Sequence, residues 1–279
     1  MCGRYAATAN PDELVEEFGV DEDRTGTPGR SVLAAPQDPP PGRPDHNMAP
    51  TKQAPVVLTR APREDRDADP RRQLRLLTWG LVPSWSKNPA GGARMINARV
   101  ESVADKPAFA RALAARRCLV PAAGWYEWQA SPTATDAKGR PRKQPFFTHR
   151  ADGTSVAMAG LYEFWRDPTV PDPEDPMAWL TTFAVITGPA EPGLDRIHDR
   201  QPVVLEHDEW SHWLDPGTGA ADVLDLLAPR PAGRFEAYPV SRAVSSNRSN
   251  GPQLLEPCPV EELVGVVDPM TGEVIGGPS

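Results

Sequence analysis

Cys2 is the residue with the most chemistry within its own reach. Methionine before a small residue is normally removed, so the mature chain is expected to begin at Cys2. It then carries a free amine, pKa about 7.7–8.0, and a thiol, pKa about 8.5, two carbons apart. Such a 1,2-aminothiol condenses with aldehydes: the amine forms an imine and the thiol closes a five-membered thiazolidine. The same group can instead act as an N-terminal nucleophile on a carbonyl, with its own amine as base. A frayed terminus without a role is the plainer alternative. Three other residues have contexts that suit proton or amine chemistry. Asn97, in Met-Ile-Asn-Ala-Arg-Val-Glu, lies between apolar residues and must be hydrogen-bonded if buried, either orienting an amine or satisfying a turn. Glu127, bracketed by aromatics in Gly-Trp-Tyr-Glu-Trp, is expected to have a raised pKa suited to acid–base work, unless it points to solvent. His198, in Arg-Ile-His-Asp-Arg-Gln-Pro, is a candidate proton donor or an ordinary loop histidine.

A second group of residues suits binding a phosphate backbone. In a strand, Arg99 shares a face with Asn97, which would set a guanidinium beside a reacting group; a salt bridge to Glu101 is the alternative. Trp85, at the end of Trp-Gly-Leu-Val-Pro-Ser-Trp, could stack on a base, whereas Trp79 is expected in the core. Asn47-Met48-Ala49-Pro50 reads as a rigid wedge or a simple turn. The net charge of −8 argues against nucleic acid, but the charges are segregated. Residues 94–117 and 138–150 are basic, while 205–226 hold six acids and no Lys or Arg. That segregation permits a basic groove on an acidic protein. Lys106 lies in the first basic stretch.

The elements that must position these residues read as many short strands with few helices and no βαβ rhythm, hence α+β in a single domain. Helices are expected over 11–19, with Asp12 as N-cap, and over 107–116, 208–214 and 221–227. Strands are expected over 55–59, 73–79, 118–122, 144–149, 156–165, 181–187 and 235–240, and a polar hairpin loop over 130–143. Pro accounts for 34 of 279 residues, more than twice the usual share. It concentrates in insertions near 21–45, 60–72 and 167–176. The domain is expected to span 2–263 and residues 264–279 to form a loose tail. Three scattered cysteines, Cys2, Cys118 and Cys258, disfavour a disulfide framework or a zinc site. With no apolar signal segment and no membrane-length apolar run, a cytoplasmic location is expected.

Taken in order, the motifs resemble the SOS response-associated peptidase family. They are Met-Cys-Gly-Arg-Tyr at the start, Asn-Met-Ala-Pro-Thr at 47–51, Trp-Gly-Leu-Val-Pro-Ser-Trp at 79–85 and Ile-Asn-Ala-Arg-Val-Glu-Ser at 96–102. Arg-Cys-Leu-Val-Pro-Ala at 117–122, Gly-Trp-Tyr-Glu-Trp at 124–128, Ile-His-Asp-Arg-Gln-Pro-Val at 197–203 and Val-Ser-Arg-Ala-Val at 240–244 complete the set. The resemblance implies a small β-barrel-like core flanked by short helices. It implies a monomer that binds single-stranded DNA and traps abasic sites as a covalent thiazolidine on Cys2. Removal of Met1 and abasic-site lyase activity are implied with it, and no cofactor or metal. By matching motif, Asn97 holds the Cys2 amine, Glu127 is the acid–base group and His198 assists sugar ring opening. Arg4 and Arg99 grip phosphates, Trp85 stacks, Met48 and Pro50 wedge the strand, and Asn47 belongs to the same DNA-binding set. A basic position of the family falls here at Pro107, with Lys106 beside it. The competing reading is an N-terminal-nucleophile cysteine peptidase acting on proteins; a non-catalytic single-strand binder is a third.

Overall fold

The computed structural model describes residues 2–62, 65 and 67–275. The chain opens with strand β1 (Tyr5–Ala7), helix α1 (Pro11–Glu17) and the two-residue β2 (Glu22–Asp23). Strands β3 (Asp45–Met48), β4 (Gln53–Arg60), β5 (Arg71–Trp79) and β6 (Asn97–Arg99) follow, then helix α2 (Pro107–Ala115). Next come β7 (Arg117–Ala122), β8 (Gly124–Thr135), β9 (Pro141–Arg150), β10 (Val156–Arg166) and β11 (Trp179–Pro189). The last part holds β12 (Arg200–Pro202), helices α3 (Trp210–Leu214) and α4 (Ala220–Leu224), and β13 (Phe235–Pro239), β14 (Val266–Val267) and β15 (Val274–Ile275). The fold is α+β, and no helix among the described residues is long and apolar enough to cross a membrane.

Five strands close a barrel in the order β11-β10-β7-β4-β5. All joins are antiparallel except the closing seam, a parallel pairing of β5 with β11 at only two positions, Thr78 with Thr182 and Trp79 with Phe183. Strand alternation sorts the side chains. Val56, Leu58, Leu77, Trp79, Val120, Met158, Tyr162, Phe183 and Val185 fill one core cluster, inside the barrel. Val57, Leu74, Leu119, Ala159, Leu161, Ala184 and Ile186 face outward under the helices. A second sheet, β13-β9-β8-β1-β3, shares the inner cluster through Tyr5, Met48, Trp125, Phe146 and Phe235 and covers one end of the barrel.

Helix α2 forms where the sequence predicts it. Pro107 stands at its first turn, and Phe109, Ala112 and Leu113 bury one face. Burying a Phe or Leu of this kind is worth about 1.5–3 kcal/mol. The N-cap of α1 is Asn10, not Asp12: its Oδ1 accepts the Glu13 amide at 3.0 Å, and Glu13 returns a bond to the Asn10 amide at 2.8 Å. The 130–143 loop is shorter than its polarity suggests, since β8 and β9 run on to Thr135 and back from Pro141. Gly124 opens β8 because any side chain there would strike Thr148 O and the Phe147 ring. Arg117 is a buried cation whose guanidinium donates to the carbonyls of Leu113, Trp213, Ala114, Thr218 and Asp215, tying the C-terminal ends of α2 and α3. Within the stretch expected to be a loose tail, β14 pairs with β15 and Val266 is buried. Side chains of β8 hold it there: Ser131 Oγ donates to Gly265 O at 2.6 Å, and Gln129 bonds Val267.

Candidate functional site

The covered end of the barrel holds the aminothiol residue. Strand β1 runs between β3 and β8, with Tyr5 opposite both Met48 and Trp125. Tyr126 N–H donates to Arg4 O at 2.9 Å and extends that pairing toward the terminus. Cys2 is fully buried, and its thiol lies 3.9 Å from Arg4 O. Burial pushes the thiol pKa far up, and the nearby Glu127 charge pushes it further. The thiol is therefore protonated at neutral pH. Met1 lies outside the described residues.

Asn97 comes from β6, which pairs in parallel with β11 at Val185–Thr187. Its Nδ2 donates to Cys2 O at 2.8 Å. Its Oδ1 is buried with no hydrogen-bond partner among the described residues, leaving an acceptor beside the cysteine backbone. Trp79 is buried, as expected; its indole N–H donates to Ile96 O, and its ring meets Tyr5 edge-on at 5.1 Å.

Glu127 sits on β8 with Trp125 and Gln129 on the same face. It is only 4% exposed. Desolvation by that burial, with the Asp199 charge adding to it, raises the carboxyl pKa to about 7. Gln129, which sequence reasoning passed over, positions the next residue: its Nε2 donates to Arg196 O at 3.1 Å and to Val267 O at 2.9 Å. That fixes the turn leading to His198. The signal for Gln129 was period-two spacing from Glu127; its partner 138 residues away was not legible.

His198 has a lowered pKa, chiefly through burial. Its Nδ1 accepts the Arg200 amide at 3.0 Å, which leaves the proton of the neutral ring on Nε2. Asp199 stands 2.9 Å from the same Nδ1 but is 85% exposed. Cys2, Asn97, Glu127 and His198, more than a hundred residues apart at the extremes, thus lie near one another: Asn97 bonds the Cys2 carbonyl, the Glu127 charge acts on the Cys2 thiol, and Asp199, next to His198, is close enough to act on Glu127.

The residues expected to bind a strand are placed less uniformly. Arg99 and Lys106 are exposed. Glu101 does not hold Arg99; both outer nitrogens of Arg200 grip its carboxylate instead. Arg4 donates to Asn47 Oδ1 at 2.7 Å and to Val244 O at 3.0 Å. Asn47 is itself fully buried, and its amide also donates to the carbonyls of Val244, Ser246 and Ser249. It is a strut under Arg4, with its hydrogen bonds already committed inside the protein. Met48 packs in the inner core, and Pro50 beyond it is half-buried. Trp85 is 62% exposed. Its turn is anchored where Trp165 donates to Ser86 O at 2.7 Å, toward the opposite end of β10 from the Cys2 pocket.

The family model described as SOS response associated peptidase (SRAP) matches residues 1–247. The Abasic site processing protein YoqW of Bacillus subtilis is 33% identical over 259 residues, 92% of this chain and 99% of that protein. The Abasic site processing protein YedK of Escherichia coli is 31% identical over 92% of this chain and all of its own length. The mouse Abasic site processing protein HMCES is 30% identical, over 92% of this chain and 76% of its own. A solved structure of a Bacteroides thetaiotaomicron protein, 21% identical, covers 92% of this chain with a TM-score of 0.67 and shows the same fold.

Proposed function

This chain belongs to the SOS response associated peptidase (SRAP) family, and from that premise we propose that it processes abasic sites in single-stranded DNA by capturing them on Cys2 as a thiazolidine. The observation that carries the reading is a carboxylic acid with a pKa of about 7, Glu127, packed beside a buried cysteine whose thiol stays protonated.

An abasic deoxyribose equilibrates with a ring-opened aldehyde. Once Met1 is removed, the Cys2 amine attacks C1′, and loss of one water gives the imine. The thiol then adds to the imine carbon and closes the five-membered ring, with its proton passing to the imine nitrogen. Because burial opposes a free thiolate, ring closure needs a group that takes the thiol proton as the C–S bond forms. Glu127 can do this as carboxylate and can protonate the departing hydroxyl as acid, since near pH 7 both forms are populated. His198 donates from Nε2 to the sugar oxygen as the ring opens. Asn97 Oδ1 accepts from the amine and keeps its lone pair directed at C1′. A peptidase of the thiolate type would want the opposite thiol environment, with the pKa driven down.

Arg99 and Lys106 contact phosphates beside the lesion, with Arg4 braced by Asn47. Trp85 stacks on a base farther along the strand, and Pro50, backed by Met48, keeps neighbouring bases apart. A single strand is favoured because a baseless, unpaired nucleotide enters the pocket without an unstacking cost of a few kcal/mol. The test is incubation with an abasic single-stranded oligonucleotide followed by a denaturing gel. A heat-stable shifted band is expected from wild type and none from Cys2→Ala, which should still bind the strand. A band of wild-type yield from Cys2→Ala would overturn the reading.

A further inference from the structure

The barrel has a second mouth, at the end away from Cys2, where a cavity of about 570 Å³ opens. That size falls in the range of small-molecule sites. It follows from the strand pattern. Leu77 and Trp79 of β5 and Val56 and Leu58 of β4 point into the barrel, so continuing by twos brings Arg75 and Arg60 to the same interior at its far rim. Phe164 of β10 and Trp179 of β11 reach it by the same rule. Tyr162, Leu58 and Phe183 fill the barrel between the two mouths, so this cavity is separate from the Cys2 pocket.

Three guanidiniums, from Arg24, Arg60 and Arg75, line the cavity, and no Asp or Glu stands among its described lining residues. Arg75 is half-buried; desolvation first, then the charges of Arg60 and Arg24, lower its pKa, so the three cations sit close enough to repel. Glu22 offsets one of them, at 2.9 Å from Arg24. The Arg60 guanidinium carbon lies over the Phe164 ring, 4.7 Å from its centroid, which holds the guanidinium at the wall. Two cations in excess, one of them desolvated, match a phosphate monoester, which carries about −1.5 to −2 at pH 7. All three Pro-rich insertions roof this mouth: Pro28 comes from the first, Pro62 from the second and Pro176 from the third. Arg30 joins the first to the third through Asp167 and stacks over Trp165 at 5.7 Å. A roof of this kind bounds the site to a small ligand, and the Trp179 indole at its wall supplies a surface for a planar ring.

We propose that the arginine-lined mouth is a binding site for a nucleoside monophosphate, with phosphate on Arg24, Arg60 and Arg75 and the base against Trp179. The probe is adenosine 5′-monophosphate, titrated calorimetrically into the full chain alongside adenosine and inorganic phosphate. Adenosine monophosphate should bind at least about tenfold tighter than either part alone. Arg75→Gln and Arg60→Ala should each weaken it about tenfold or more, the loss of one charged hydrogen bond. Arg60→Ala, at the rim, carries the test if Arg75→Gln does not unfold cooperatively like wild type. Cys2→Ala should bind the nucleotide as wild type does. No detectable binding at millimolar nucleotide, equal binding of inorganic phosphate, or unchanged affinity in Arg60→Ala would overturn the site. Displacement of the nucleotide by an undamaged single-stranded oligonucleotide would also overturn it, placing the probe in a DNA groove.

Discussion

The two mouths of one barrel solve opposite electrostatic problems. At the Cys2 end, burial keeps a thiol protonated and raises a carboxyl to a pKa of about 7, and hydrogen bonds from strand ends set the geometry. At the far end, three arginines line a half-enclosed space, and the covering comes from irregular, proline-rich chain. The difference teaches that desolvation favours chemistry where proton transfer is wanted and favours binding where an unbalanced charge is left for a ligand. The barrel is common to both; what differs is that one end meets a thiol and a carboxyl carried by the covering sheet and the chain leading into it, while at the other two of the guanidiniums come from the barrel's own strands.

The sharpest way to break this division is Cys2→Ala, which should abolish the heat-stable crosslink while leaving nucleotide affinity at the far mouth within about twofold. Loss of both would mean the mouths are one functional unit. Glu127→Gln should slow crosslinking by about 10²–10⁴-fold at saturating DNA and remove any bend in the rate near pH 7. Single-turnover gels across pH 5–9 test this, and a mutant that tracks wild type throughout would make Glu127 a structural carboxyl. Gln129→Ala strands the Arg196 and Val267 groups it bonds, at a cost of about 1–3 kcal/mol. Melting temperature should fall and crosslinking should slow, with nucleotide binding retained. Arg99→Ala should weaken single-strand binding a few-fold and flatten the log–log salt dependence by about 0.7, one phosphate on a single strand. The last effect concerns stability. Glu127 has a folded pKa of about 7 against an ordinary carboxyl near 4.5. The folded state therefore holds more protons in that window, and wild type loses stability as pH rises from 4.5 through 7. Glu127→Gln is spared that loss, so its melting temperature should gain on wild type across the window and stay ahead by a constant margin above it.

Local sequence carried much of the arrangement. Pro107 with Phe109 and Leu113 marks α2, and the spacing of Asn97 and Arg99 puts them on one face of β6. The aromatic bracket around Glu127 anticipates its desolvation. What stayed illegible depends on contacts across the chain. Asn47 looks like a surface wedge until its amide meets carbonyls about 200 residues later. Residues 264–275 look loose because the partners that order them, Gln129 and Ser131, lie on β8. The insertions read only as proline-rich additions to the domain, since nothing in their composition shows that three separated stretches line one cavity.

The two-pair seam between β5 and β11 has a consequence for the order of assembly. Asn97 is set beside Cys2 only by its pairing with Val185–Thr187 of β11, and His198 lies later in the chain still. Until β11 is in place, nothing holds Asn97 or the His198 turn against Cys2. The site is completed together with a join between strands more than a hundred residues apart.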